Sequence, residues 1–197
     1  MDIIQRIQYV LESESKAIQS IEVTSTFEDV VNLLMSCRCK LLTTGMGKAG
    51  IIANKFAVTL SSTGTPAIYV HPGEAAHGDL GVVSEGDCLV AFSTSGKTRE
   101  VIEMLELAEH LGLGKVVGIT SHAESELRKH CDIILEMGVI EEPCPLGLTP
   151  SASIAVMNAI ADAITLALME LKGITKHQYG LRHHGGYLGR VARLDNE

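Results

Sequence analysis

Residues Leu89-Val90-Ala91-Phe92-Ser93-Thr94-Ser95-Gly96-Lys97-Thr98-Arg99-Glu100 pass from an apolar run, through hydroxyls and a glycine, into an amphipathic helical period. That junction is suited to an anion. Ser93, Ser95 and Thr98 can each donate a hydrogen bond, and the open N–H groups and positive dipole end of the following helix favour negative charge. A phosphate fits. Gly96 lets a ligand come close or takes a positive φ, while Lys97 and Arg99 add mobile cations. The same residue types also serve as ordinary helix caps.

Thr44-Gly45-Met46-Gly47-Lys48-Ala49-Gly50 is a second glycine-rich junction. It is not a Walker loop, because Ala49 follows Lys48 where Ser or Thr is needed, and Leu42 stands where the first glycine belongs. Gly45, Gly47 and Gly50 do match G-x-G-x-x-G, but the acidic residue required about twenty positions on is missing, since the next apolar run ends in Val70-His71-Pro72. The competing functional reading makes Lys48 a cation for a sugar hydroxyl or a phosphate, against an ordinary surface lysine. His71-Pro72-Gly73-Glu74-Ala75-Ala76-His77-Gly78-Asp79 gathers imidazoles and carboxylates. Glu74 and His77 are three apart and can share a ligand on a helix, so a metal is conceivable, although spacing commits no full ligand set. Cys37-Arg38-Cys39 lacks the second close pair that a zinc site needs.

Proton transfer alpha to a carbonyl needs a carboxylate base, a second acid–base group and a cation, each acid–base group contributing roughly a hundred-fold to ten-thousand-fold. Glu100, the carboxylates of Glu141-Glu142-Pro143-Cys144-Pro145, and His183-His184-Gly185-Gly186 supply the first two kinds, and Lys48 the third. Singly, each has a plainer explanation: Glu100 complements a helix dipole, and the others solvate loops.

The elements that must position these groups follow from periodicity. Asp2 precedes Ile4, Ile7 and Leu11 at helical spacing, and Ser25 with Glu28 has capping-box spacing ahead of Val30, Val31 and Leu34. Short apolar runs at 40–44, 67–70, 88–93, 115–120 and 133–136 then read as strands, separated mostly by helical segments such as 49–62 and 98–111. Their lack of clean alternation predicts burial on both faces, hence a doubly wound parallel α/β sheet with ligands beyond the carboxyl ends of the strands. Residues 138–149 are the longest irregular stretch, after which Thr149-Pro150 reads as N-cap and first residue of a long last helix ended by Gly173. No linker divides residues 1–197, so one domain is expected, with the helices of 1–37 and the segment 174–197 packing on it or between subunits.

Composition narrows the partners. The 197 residues are 46% hydrophobic, 20% charged and 4% aromatic without Trp, which argues against disorder and against a base-stacking surface. A net charge of -8 repels polyanions, so nucleic acid is not an expected partner and any phosphate site must be local. The one candidate membrane span, 151–171, carries Asn158, Asp162 and Glu170 and reads as a core or interface helix. Five cysteines, an odd number, and a start without a signal peptide point to reduced thiols in a cytoplasm.

The set Gly45-Met46-Gly47-Lys48, His71 to Gly81, Ser93-Thr94-Ser95-Gly96, Cys144-Pro145-Leu146-Gly147-Leu148-Thr149-Pro150 and Gly185-Gly186-Tyr187-Leu188-Gly189-Arg190 resembles the D-arabinose 5-phosphate isomerases of the sugar isomerase (SIS) domain family. The resemblance implies a three-layer α/β/α sandwich around a five-stranded parallel sheet. It also implies interconversion of D-ribulose 5-phosphate and D-arabinose 5-phosphate through a cis-enediol, towards the lipopolysaccharide sugar 3-deoxy-D-manno-octulosonate. Carried over by position, the family's catalytic groups fall on Lys48, Glu100, Glu142 and His183, with Gly47, His77, Ser93, Thr94, Ser95 and Thr98 binding substrate. No cofactor or required metal is expected, and members form tetramers whose active sites borrow the histidine from a neighbour. Lys97 stands where the family usually has Glu, and Arg182-His183-His184-Gly185-Gly186 replaces Ser-His-Pro-Gly-Gly. Many members continue into paired CBS domains, so regulation through those domains is expected to be absent here. The alternatives are isomerisation of another phosphosugar, such as a hexulose or heptose phosphate, and a sugar-phosphate sensor without turnover.

Overall fold

The computed structural model describes residues 2–183 and 185–194, so Met1, His184 and residues 195–197 of the C-terminal expectation lie outside it. Apolar runs too short for a helix form five parallel strands: β1 Leu41–Gly45, β2 Ala67–Tyr69, β3 Cys88–Phe92, β4 Val116–Thr120 and β5 Ile133–Glu136. They lie in the order β2-β1-β3-β4-β5. Every residue of β1, β3 and β4 is buried, which is why their sequences show no alternation.

The helices are α1 Ile3–Gln19, α2 Ser25–Ser36, α3 Gly47–Ser62, α4 Pro72–Ala75, α5 Arg99–Glu109, α6 Ala152–Leu171, α7 Lys176–Leu181 and α8 Tyr187–Leu194. On one face of the sheet, α2, α3 and α6 bury Leu34, Phe56, Val156 and Ile160 against Val90, Phe92 and Ile119. Phe56 meets Phe92 edge-on at 5.6 Å. On the other face, α4 and α5 bury Ala75, Val101, Met104 and Leu105 against Leu42, Leu89 and Ala91. Each such side chain contributes roughly 1.5–3 kcal/mol by leaving water. The result is the expected sandwich. Half of α6, apolar and long enough to cross a bilayer by composition, is buried in this core.

Local signals shift where packing competes with them. Asp2 caps α1 by accepting from the N–H groups of Ile4 and Gln5, as its position predicts. The stripe behind it stays uncovered, with Ile4, Ile7 and Leu11 exposed at 76%, 56% and 63%. Thr24 is the N-cap of α2, and Ser25, expected to open a capping box, is its first helical residue. Gly50 explains the third glycine of the dinucleotide-like pattern: a Cβ there would lie 2.4 Å from Gly45 O and 2.8 Å from the Tyr69 hydroxyl, so the glycine lets α3 close onto β1.

At the amino end of the sheet, Asp87 is fully buried. Its carboxylate accepts from the N–H groups of Lys40 (3.0 Å) and Ser84 (2.8 Å) and pairs with Lys40 Nζ at 3.0 Å. Burial pushes the carboxyl up, but the hydrogen bonds from Lys40 and Ser84 outweigh it and hold it below its ordinary value. The unfolded chain therefore takes up this proton first, and the carboxylate's stabilisation is lost as pH falls from about 4 through the folded value. In urea melts across pH 2 to 6, Asp87→Asn is expected to flatten this acid dependence. Asp87→Ala is expected to cost roughly 2–4 kcal/mol at neutral pH by orphaning two N–H groups.

Candidate active site

The parallel register sets Gly45 opposite Phe92, so β1 and β3 end side by side and their following loops, Met46 to Lys48 and Ser93 to Thr98, share one rim. The end of β2 is tied to the same place. Thr44 Oγ1 donates to Val70 O at 2.8 Å and the Tyr69 hydroxyl donates to Gly45 O at 2.9 Å, its phenol raised by burial. His71 follows, edge-on to Tyr69 at 6.3 Å, with a buried Nδ1 that has no hydrogen-bond partner among the described residues. Lys48, the second residue of α3, is exposed and forms no ion pair among the described residues. His77 and Glu74 are exposed on the β2 side of the rim, where α4 packs on α5. Among the described residues, no three His, Cys, Asp or Glu side chains gather as a metal-ligand set.

The β3 loop is held before any ligand arrives. Ser93, buried, shares a hydrogen bond with Thr98 Oγ1 at 2.9 Å, and Ser95 Oγ accepts from the Lys97 N–H at 3.2 Å. Thr94 O accepts from Ser121 N–H (3.0 Å) and Thr120 Oγ1 (3.1 Å), while Gly96 O accepts from Leu127 N–H at 2.9 Å. Gly96 sits at φ +62, and a Cβ there would lie 1.8 Å from Ser125 Oγ. The Thr98 hydroxyl, engaged with Ser93, makes no capping bond to α5, which leaves the first N–H groups of that helix pointing out at the rim. Glu100 is the second residue of α5, half-buried and without a hydrogen bond or ion pair in the described chain. Arg99, by contrast, is drawn along the helix into a 2.6 Å exposed pair with Glu103.

Two residues escaped the sequence reading. Ser121 and Ser125, each 7% exposed, have hydroxyls with no hydrogen-bond partner among the described residues. With Lys97, His122 and Glu136 they line a cleft of about 530 Å³ beside the loop. The only signal was a cluster of hydroxyls just past an apolar run.

Glu142 has a structural partner that spacing did not disclose. Its Oε2 accepts from the N–H groups of Ser151 (2.7 Å) and Ala152 (2.9 Å), and its Oε1 from that of Ser153 (3.2 Å). A carboxylate thus caps α6, in place of the expected Thr149, and the helix starts two residues later than Pro150 suggests. Beside it, Cys144 accepts from the Leu146 N–H at 3.4 Å, and hydrogen bonds from Thr149, Leu146 and Leu148 bring its thiol down to about 6. The helices α3 and α6 run parallel: Lys55 pairs with Asp162, and Lys172 Nζ donates to Thr65 Oγ1 at 2.6 Å, both at a sequence offset of 107. That constant offset sets the first turn of α6, and Glu142 with it, beside the first turn of α3 and Lys48.

His183 lies elsewhere in its own chain. Its ring stacks on Tyr179 at 3.9 Å, with Nδ1 2.8 Å from Tyr179 O. A Cβ at Gly64, just past α3, would lie 2.6 Å from Ile174 and 3.7 Å from Arg182. The segment bearing His183 therefore sits at the far end of α3, whose 16 residues rise about 24 Å. The rim gathers Lys48, the β3 loop, Glu100 and Glu142 from one chain, and not His183.

Gly96→Ala is expected to weaken binding of a phosphate monoester tenfold or more, because the added methyl meets Ser125 and the left-handed backbone strains together. Combining it with Ser125→Gly should recover part of that loss, read by calorimetric titration.

The SIS domain pattern matches residues 33–169. Arabinose 5-phosphate isomerase KdsD of Pseudomonas aeruginosa is 37% identical over 199 aligned residues, covering 100% of this chain and 61% of that protein. KdsD of Escherichia coli K12 is 41% identical over 158 residues, 80% of this chain and 48% of the relative. The chain spans about half to three fifths of the length of these curated relatives. Among solved structures, a Bacteroides fragilis protein described as a phosphosugar isomerase involved in capsule formation superposes with a TM-score of 0.90 at 43% identity, covering 94% of this chain and 100% of that one. An E. coli CFT073 protein in complex with arabinose 5-phosphate gives 0.89 at 38% identity over 93% of this chain and 100% of its own. By the matched span and by relatives more than a third identical along its length, the chain belongs to the SIS domain family.

Proposed function

We propose that the protein is an aldose–ketose isomerase that interconverts D-ribulose 5-phosphate and D-arabinose 5-phosphate through a cis-enediol. The observation that carries this reading is the rim itself, where a stapled hydroxyl loop on a helix N-terminus stands next to an unpaired lysine and two glutamates. Relatives named arabinose 5-phosphate isomerase, and a neighbour solved with arabinose 5-phosphate, support it. The product would feed synthesis of 3-deoxy-D-manno-octulosonate and lipopolysaccharide, in the cytoplasm.

In this mechanism Ser93, Thr94, Ser95 and Thr98 hold the phosphate, and Gly47 and His77 flank the sugar. Binding energy from the remote phosphate then fixes C1 and C2 against the acid–base groups. Lys48 stabilises charge developing on the carbonyl oxygen. Glu100, free of hydrogen bonds, is better placed to take the carbon-bound proton than Glu142, whose oxygens face three N–H groups. A neighbour's His183 relays the proton between the two oxygens, which fits its distance from the rim of its own chain. Exposed apolar residues on α1 (Ile4, Ile7, Leu11) and α3 (Ile51, Val58) favour a homotetramer in which further copies cover them. Lys97, exposed at the loop where the family resemblance implies Glu, favours a second reading in which another phosphosugar is the substrate.

Purified protein incubated with D-ribulose 5-phosphate should yield the aldose; tight binding without turnover would make the chain a sensor instead. Glu100→Gln and Glu142→Gln should each cut kcat by about a hundred-fold or more. Only Glu142→Gln should also lower the melting temperature, because an amide offers one acceptor oxygen where three N–H groups converge. Lys48→Ala and His183→Ala should each be inactive alone. Their randomly mixed oligomers should regain about a quarter of wild-type activity if each site draws on two chains, and none if it does not.

A further inference from the structure

Away from the rim, two thiols meet at the amino end of the sheet. Cys37 is the C-cap of α2, and Cys88 is the first residue of β3. One carbonyl draws them together: Lys40 O accepts from Cys37 Sγ at 3.5 Å and from the Cys88 N–H at 3.1 Å. Cys88 points into the core under α2, where Cys37 packs against the same cluster. Burial first, with the neighbouring Cys37 second, pushes the Cys88 thiol up to about 12. Cys37 is partly exposed and Cys88 is buried. The Lys172 ammonium, bonded to Thr65, lies within Coulombic reach of Cys37.

We infer that Cys37 and Cys88 form a modification site that closes into an intramolecular disulfide, with a low-molecular-weight disulfide such as oxidised glutathione as the electron acceptor. The order of events follows from exposure. Cys37, as thiolate, attacks one glutathione sulfur, forming a mixed disulfide and releasing one glutathione thiolate. Cys88 then attacks Cys37 Sγ as its proton passes to the departing glutathione thiolate, which leaves as the second glutathione. Two protein thiols are oxidised and one disulfide is reduced to two thiols. The new bond closes β1, α3 and β2 into a loop, which restricts the unfolded chain and favours the oxidised native form. The remaining thiols lack such a neighbour: Cys39 is exposed with its Sγ 3.7 Å from Glu85 O, Cys131 is buried, and Cys144 lies in the loop before α6. This inference rests on no part of the isomerase reading.

The test uses the full-length wild-type protein, oxidised glutathione, quenching by alkylation in denaturant, and peptide mapping by mass spectrometry. Alkylatable thiols should fall from the five of the sequence by two, a peptide should join Cys37 to Cys88, and dithiothreitol should reverse both changes. In Cys88→Ala, glutathione should remain trapped on Cys37. A wild-type protein that keeps all its thiols, stops at glutathione on Cys37, or links Cys39 or Cys144 instead would overturn the inference, whatever the stability of the variant.

Discussion

The site depends on one backbone constraint, the in-register parallel pairing that ends β1 and β3 at the same level with Gly45 opposite Phe92. A parallel sheet places every strand's carboxyl end on one side, so neighbouring strands deliver their loops together without any side chain specifying it. Lys48 and the Ser93 to Thr98 loop are thereby neighbours although far apart in sequence. Burying β1, β3 and β4 completely then penalises register slippage, because a one-residue shift would drive Phe92 and Leu89 into the wrong layers.

Upon that frame, polar groups are used twice. Thr120 and Ser121 end a core strand and also fix the carbonyl of Thr94, so the loop's shape is inherited from the sheet and costs little to impose when a ligand binds. Glu142 starts the longest core helix and sits at the rim, so its position is as rigid as the helix it caps. The glutamate therefore cannot be exchanged without disturbing α6. Glu100 carries no such obligation.

The single chain is unfinished at its surface. Apolar stripes on α1 and α3 lie open, and the histidine that the family resemblance assigns to catalysis sits near the opposite end of α3 from Lys48. In the proposed oligomer a second chain would answer both features at once, by covering apolar surface and by bringing a further imidazole to the rim.

The sequence by itself determined the sheet and the rim at its carboxyl end. Apolar runs without alternation have only one economical use, and Ser93, Ser95, Gly96 and Thr98 between a strand and a helix advertise an anion loop through local geometry alone. It also argued against a nucleotide site at Gly45, Gly47 and Gly50, and the fold adds that Gly50 serves close packing. Only the tertiary structure decided that Glu142 caps α6 in place of Thr149, that Thr24 rather than Ser25 is the N-cap of α2, that Ser125 is the reason for Gly96, and that His183 stands apart from Lys48. The Glu142 cap and the Gly96 contact turn on which backbone N–H or hydroxyl from another segment comes close, and partners separated in sequence leave no periodic trace along the chain.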